Sequence, residues 1–112
     1  MASVDECRAA LDRLAQKLAD NADDVHRKVN LERRLVCHVT DLQVAFRGRL
    51  HNGRLLDLTE GGDPEAKITL SATSDDLVAM IDGELAFATA LANRRVSVRA
   101  NPLDLLKLRK LL

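Results

Sequence analysis

The sequence predicts an α+β fold, in which one sheet of about five strands carries helices packed on one of its faces. Three observations lead there. Apolar and polar residues alternate in several short stretches, of which Lys67 to Thr73 is the clearest, with Ile68, Leu70 and Ala72 opposite Thr69, Ser71 and Thr73; that is the period of a half-buried strand. Helical spacing with capping residues frames these stretches at both ends of the chain. The closing segment, Asn101 to Leu112, is leucine-rich on more than one side, whereas an ordinary surface helix has a single apolar stripe.

The first helix starts with a capping box, Ser3 and Glu6, and runs to about Asp20 with Val4, Cys7, Leu11, Leu14 and Leu18 at spacings of three and four. Packing on a sheet is the expected use of so short an apolar face, rather than a coiled coil. Asn21 to Asp24 reads as a break. Val25 to Arg34 is either a short helical turn or an irregular crossing. Leu35 to Val39 is a strand, and Thr40-Asp41 bends it. Gln43 to Leu50 is a second strand, with Val44, Phe46, Gly48 and Leu50 on one side and Ala45, Arg47 and Arg49 on the other. His51-Asn52-Gly53 makes a tight hairpin, since Asn-Gly suits the positive backbone angles of such turns. Arg54 to Thr59 returns, with either Leu56 and Leu58 or Leu55 and Asp57 inward.

Glu60 to Pro64 is a loop. After the strand at Lys67, Ser74 stands where an N-cap belongs, and Asp75 and Asp76 occupy the first turn, where negative charge complements the helix dipole. Leu77, Met80 and Ile81 share a face, and Gly83 ends the helix. A further helix spans about Glu84 to Ala92, burying Leu85, Ala88 and Leu91, or Phe87 and Leu91, with Asn93 as its stop. Val96 and Val98 alternate with Arg95, Ser97 and Arg99 in the last strand. Asn101 and Pro102 are a favoured N-cap and first helical residue, and Asp104 lies in the first turn. In that helix Leu105, Leu108 and Leu112 form one face, while Leu103, Leu106 and Leu111 point elsewhere. Such a helix needs cover on two sides, from its own sheet and from a ligand, a second subunit or a deeper core.

At 112 residues the chain is read as one domain, 1–112. Its 17 basic and 17 acidic residues cancel, so no net field recruits nucleic acid or an anionic membrane. With only Phe46 and Phe87 as aromatics, stacking platforms for single strands are missing. No apolar run approaches the roughly 20 residues of a membrane span, and the first residues lack a signal pattern, so a cytoplasmic location without a transmembrane segment is expected. Cys7 on a helix and Cys37 on a strand are expected to be free buried thiols.

No catalytic constellation emerges, and neither a metal nor a cofactor is expected. His26, His38 and His51 have no ligand spacing, and Glu60-Gly61-Gly62-Asp63 lacks the lysine and helix start of a phosphate loop. The arginines at 33–34, 47, 49 and 94–95 can bind an anion, but a solvated sheet face carrying Arg47, Arg49, Thr69, Ser71, Arg95, Ser97 and Arg99 is the preferred reading. What remains is the apolar side. Phe46, Leu70, Leu77, Met80, Ile81, Phe87, Leu91, Leu105 and Leu108 should converge between sheet and helices, as a filled core or as the lining of a space.

The order of strand, Ser74-Asp75-Asp76-Leu77 helix start, Gly83-Glu84-Leu85 turn, alanine-rich helix, basic Val96-Ser97-Val98 strand and leucine-rich last helix resembles the sterol carrier protein 2 (SCP2-like) domain. The Asn52-Gly53 hairpin adds to the likeness, which covers about Leu35 to Leu112. The resemblance implies a five-stranded mixed sheet flanked by helices that enclose an apolar tunnel, partly closed by the terminal helix. It implies a non-catalytic carrier of a fatty acyl chain, a sterol or another lipid, with the nine apolar residues named above as ligand contacts. It also allows a homodimer or a larger enzyme as partner. The chain departs from the family pattern at Lys67, where an aspartate is usual, at Asn93-Arg94, where a glycine is usual, and at Ala100-Asn101, where Gly-Asp is usual. Asn takes glycine-like angles readily, so the fold should survive.

Energetics sharpen the expectation. A lipid site needs roughly 300 Å³, and leaving it empty costs on the order of 7 kcal/mol at about 24 cal/mol per Å³. A domain is stable by only about 5–15 kcal/mol in all. The space should therefore be collapsed, wet, open to a partner or filled by a lipid. The alternative is a small protein–protein interaction or oligomerisation module with a solid core.

Overall fold

The computed structural model describes residues 1–28 and 30–111. In chain order its elements are α1 (Val4–Asp20), α2 (Ala22–Lys28), β1 (Arg33–Val39), β2 (Val44–His51), β3 (Arg54–Glu60), β4 (Ile68–Ala72), α3 (Ser74–Ile81), α4 (Phe87–Ala92), β5 (Val96–Arg99) and α5 (Pro102–Leu111). The five strands form one mixed sheet in the order β3-β2-β1-β4-β5. β1 runs parallel to β4, and the remaining neighbours are antiparallel. Helices cover one face; the other carries exposed Arg47, Ser97 and Arg99 and half-buried Arg49, Thr69 and Ser71.

Local chemistry explains the helix ends. The capping box forms: Ser3 Oγ accepts from the Glu6 N–H, and the Glu6 carboxylate accepts from the Ser3 N–H. The expected break at Asn21 to Asp24 is a one-residue joint instead. Asn21 caps α1, and Asp23 and Asp24 sit in the first turn of α2, where carboxylates favour a helix start. That helix and the beginning of β1 replace the ambiguous 25–34 segment; Val29 lies outside the described residues. The N-cap of α3 is Thr73 rather than Ser74: Thr73 Oγ1 accepts from the Asp76 N–H. Ser74 is inside the helix and fully buried, accepting from the Ala2 N–H at 3.0 Å and donating to Asp41 Oδ2 at 2.7 Å. The Ser74 hydroxyl, with the Ser74 backbone N–H, donates to the Asp41 carboxylate and lowers its pKa from the ordinary value.

Gly83 ends α3 with φ +81°, and the Gly83 and Glu84 N–H groups fold back onto the Met80 and Ala79 carbonyls. That closure takes up Glu84 and Leu85, so α4 begins at Phe87, later than expected. Its buried residues are Phe87 and Ala90, with Leu85 and Leu91 half-buried and Ala88 exposed. The same closure ends α4, but the residue at φ +60° is Arg94, while Asn93 stays at −88°. The expectation that Asn would stand in for the missing glycine is therefore off by one: a residue with a Cβ takes the left-handed conformation. At α5, Asn101 Oδ1 accepts from the Asp104 N–H at 2.7 Å, as an N-cap should.

Strand β3 follows neither expected register. Asp57 has φ +57°, and the pairing with β2 shifts between Arg47 and Arg49. An added residue breaks the period of two, so Leu55 and Leu58 both turn toward the helices. Gly48 makes room for them: a Cβ there would lie 3.0 Å from Leu55 Cδ1 and 3.5 Å from Leu58 Cδ1. The hairpin tip is equally tight. Gly53, at φ +77°, presses on the joint between α1 and α2, where an added Cβ would stand 2.3 Å from the Ala22 carbonyl oxygen.

Asp104 is 1% exposed and pairs with Arg33 Nε at 3.0 Å, tying α5 to β1. Its place in the first turn of α5 was legible; its burial was not. Leu108 is buried and Leu105 half-buried, but Leu103 and Leu106 are exposed. The side chains of Leu111 and Leu112 lie outside the described part of the chain.

Two substitutions test these backbone readings by urea denaturation. Arg94→Gly should raise stability by roughly 0.5–1 kcal/mol, since the left-handed penalty exceeds glycine's entropic cost. Gly53→Ala should lower it by about 1–3 kcal/mol, through strain and the clash with α2.

Candidate functional site

Between the sheet's inner face and the helices lies an apolar cavity of about 270 Å³. Each element contributes for a local reason. Alternation brings Leu35 and Cys37 from β1, Phe46 and Leu50 from β2, Leu70 and Ala72 from β4 and Val96 from β5 to the helical side. The β3 bulge adds Leu55 and Leu58. Helical spacing brings Leu11, Leu14 and Leu18 from α1 and Leu77, Met80 and Ile81 from α3; Leu108 comes from α5. The α3–α4 turn completes the wall with Gly83, Leu85, Ala86 and Phe87, of which Gly83 and Ala86 are exposed. The cavity therefore reaches the surface at that turn.

Of the residues singled out from the sequence, Phe46, Leu70, Leu77, Met80, Ile81, Phe87 and Leu108 surround this cavity. Leu91 and Leu105 do not line it; both are half-buried, and Leu91 packs against the core around it. Missed were the leucines of α1, although their periodicity was plain, because nothing in a single sequence says which sheet face a distant helix covers. Leu55 and Leu58 were missed as a pair because the bulge is invisible to a period-two pattern.

The lining holds almost no polar chemistry. Its one titratable group is the Cys37 thiol, whose pKa burial pushes up to about 12, with nearby Cys7 adding to the rise. Cys7, fully buried, is also raised, by burial first and then by the Asp41, Glu6 and Asp75 carboxylates. Both cysteines are free thiols. Outside the cavity several arginines are engaged with carboxylates: Arg34 with Asp63 and Glu65, each at 2.7 Å, Arg49 with Asp57 at 3.2 Å, and Arg95 with Asp76. His51 pairs with Glu32, while His26 and His38 are exposed. Among the described residues, no group of three His, Cys, Asp or Glu side chains is placed to hold a metal ion. Nor is any helix long and apolar enough to cross a membrane. What this arrangement can do is enclose an apolar molecule without reacting with it.

The sequence profile of the SCP-2 sterol transfer family matches residues 10–112. The chain belongs to the SCP-2 sterol transfer family. Among solved structures, its fold is similar to that of palmitated SCP2L2 from Aedes aegypti, at 17% identity and TM-score 0.70, covering 97% of this chain and 93% of that one. It is also similar to sterol carrier protein 2 of Aedes aegypti in complex with the C16 fatty acid palmitate, at 20% identity and TM-score 0.64, over 90% and 92% of the two chains. A third likeness is to part of the sec-alkyl sulfatase PisA1, at 25% identity and TM-score 0.69. It covers 91% of this chain and only 15% of the sulfatase, so the whole enzyme is far longer than the shared unit. No curated protein matches the chain at a significant level. The five-stranded mixed sheet with its helices is the α+β fold of the SCP-2 family.

The Cys37 thiol gives a direct probe of the cavity wall. With its pKa raised from the ordinary thiol value of 9.0 to about 12, its thiolate fraction at neutral pH falls roughly a thousandfold. Alkylation of Cys37 by iodoacetamide should be slower than that of a free thiol by at least that factor, and unfolding in urea should restore it. Mass-spectrometric mapping of the modified cysteine would show this.

Proposed function

We propose that this chain is a non-catalytic lipid carrier that holds an acyl chain, or a ligand of similar apolar character, in the cavity between sheet and helices. The observation that carries the reading is the cavity itself, whose volume of about 270 Å³ is bounded almost entirely by hydrocarbon. Left dry and empty, a space of that size costs roughly 6 kcal/mol, a large share of the 5–15 kcal/mol that holds a typical domain together. A bound acyl chain offsets that cost and gains about 0.8 kcal/mol per buried methylene. Family membership and the palmitate-bound relatives support the same choice of guest.

Phe46, Leu70, Leu77, Met80, Ile81, Phe87 and Leu108 are the proposed ligand contacts, joined by Leu11, Leu14 and Leu18. The ligand enters beside Gly83 and Ala86, where the wall is exposed. Leu91 packs against the core outside that lining. The sulfatase likeness supports a second setting, in which a domain of this kind serves a larger enzyme by holding the alkyl part of a substrate. The solid-core interaction module is disfavoured by the same cavity.

Native mass spectrometry of the purified protein should reveal a co-purified lipid or saturable uptake of a fluorescent fatty acid by the monomer. Met80→Trp, which places an indole in the cavity, should reduce that uptake at least about tenfold while the urea midpoint stays close to that of the parent, because the added volume occupies space already present. Unfolding of Met80→Trp, together with no uptake by the parent, would speak for a packed core instead.

A further inference from the structure

The hairpin tip between β2 and β3 sets an asparagine–glycine pair beside a carboxylate and an imidazole. His51 and Arg54 are the last paired residues, so Asn52 and Gly53 stand outside the ladder, and Asn52 is exposed. Of the five asparagines in the chain, Asn52 alone is followed by glycine. Glycine has no Cβ, so nothing crowds its backbone nitrogen as it approaches the preceding side chain. Two groups are gathered around that side chain. His51 Nε2 lies 3.1 Å from Asn52 Nδ2, and His51 Nδ1 lies 2.5 Å from Glu32 Oε2. The other oxygen of the same carboxylate accepts from the Asn52 N–H at 3.4 Å. The His51 hydrogen bond, above all, holds the Glu32 carboxyl below its ordinary value. The ionised carboxylate takes the Nδ1–H and leaves Nε2 turned to the asparagine amide.

We propose that Asn52 is a site of spontaneous deamidation in which His51 donates the proton to the departing nitrogen, and that the isoaspartyl product frees the hairpin tip from the helices. The Gly53 nitrogen gives its proton to solvent and bonds to Asn52 Cγ. The Cγ–Nδ2 bond breaks, and Nδ2 takes a proton from the His51 imidazolium and leaves as ammonia. Water then opens the cyclic imide at one carbonyl or the other, giving aspartate or isoaspartate. Nε2 is already within hydrogen-bond reach of the leaving nitrogen. The two products differ in what they do to the fold. Aspartate changes the charge alone. Isoaspartate lengthens the main chain by a methylene at a tip without slack, where an atom added at Gly53 meets the Ala22 carbonyl oxygen at 2.3 Å and the His26 nitrogen at 3.0 Å. The longer chain lifts the tip from the joint between α1 and α2.

Peptide mapping by mass spectrometry of the folded full chain, held at neutral pH over days, tests the proposal. Asn52 should be lost first, with the other asparagines as internal references. His51→Ala should slow that loss at least about tenfold, and added imidazole should restore part of the rate, which a merely structural role for the ring would not allow. Glu32→Gln, which removes the charge behind the ring, should slow the loss as well. The urea midpoint of each variant shows that it is folded, and Glu32→Gln carries the comparison should His51→Ala unfold. The isoaspartyl fraction of aged protein should unfold at lower urea than fresh protein, whereas Asn52→Asp should keep the parent's midpoint. Equal rates in the parent and the folded variants overturn the proposal. So does an Asn52 that survives in the folded parent while the urea-unfolded chain loses it. An isoaspartyl fraction with the parent's midpoint overturns the claim that the tip is freed.

Discussion

The apolar seam between the sheet's inner face and its helices is the constraint on which the rest depends. The sheet offers leucine, valine, isoleucine, alanine, a cysteine and one phenylalanine to that seam, and the helices answer with leucine, alanine, valine, isoleucine, methionine, a cysteine and a second phenylalanine. Phe46 and Ile68 are fully buried in it, each gaining about 1.5–3 kcal/mol by leaving water. Yet aliphatic chains of this size, without tryptophan or tyrosine, do not fill the space that the helices span. Tight packing at the edges and an unfilled centre are two results of one composition.

The polar anchors at the rim follow from that arrangement. Arg33 and Asp104 fasten α5 to the end of β1, and the Ser74–Asp41 bonds fasten α3 to the turn between β1 and β2. Directional bonds at the helix ends fix positions that a non-directional hydrophobic contact leaves free to slide. With the ends fixed, the cavity between them keeps its shape without needing a full complement of side chains. The same division gives α5 its two sides: one held by Leu108 and Asp104, the other left with the exposed Leu103 and Leu106.

Backbone strain marks where the fold departs from regularity. Asp57 at φ +57° and Arg94 at φ +60° take conformations that cost a side-chain-bearing residue roughly 1–2 kcal/mol each. The first turns Leu55 and Leu58 together into the cavity wall, and the second steers the chain from α4 into β5. Both lie beside the seam, so the geometry that shapes the site is held at some expense of local stability.

Alternation, capping residues and the Asn52-Gly53 and Gly83 turns determined the number and kind of most elements, because these signals act over a few neighbouring residues. They also marked Phe46, Leu70, Leu77, Met80, Ile81, Phe87 and Leu108 as inward-facing, since parity along a strand and spacing along a helix are properties of the chain itself. Only the tertiary structure decided that α1 lies over the same face, that the α3–α4 turn forms the exposed part of the wall, and that Asp104 is buried against Arg33. Each of these joins residues tens of positions apart, and a contact at that separation leaves no period in the sequence. The volume of the cavity belongs to the same class, because it is set by the distance between layers and not by the identity of any one side chain.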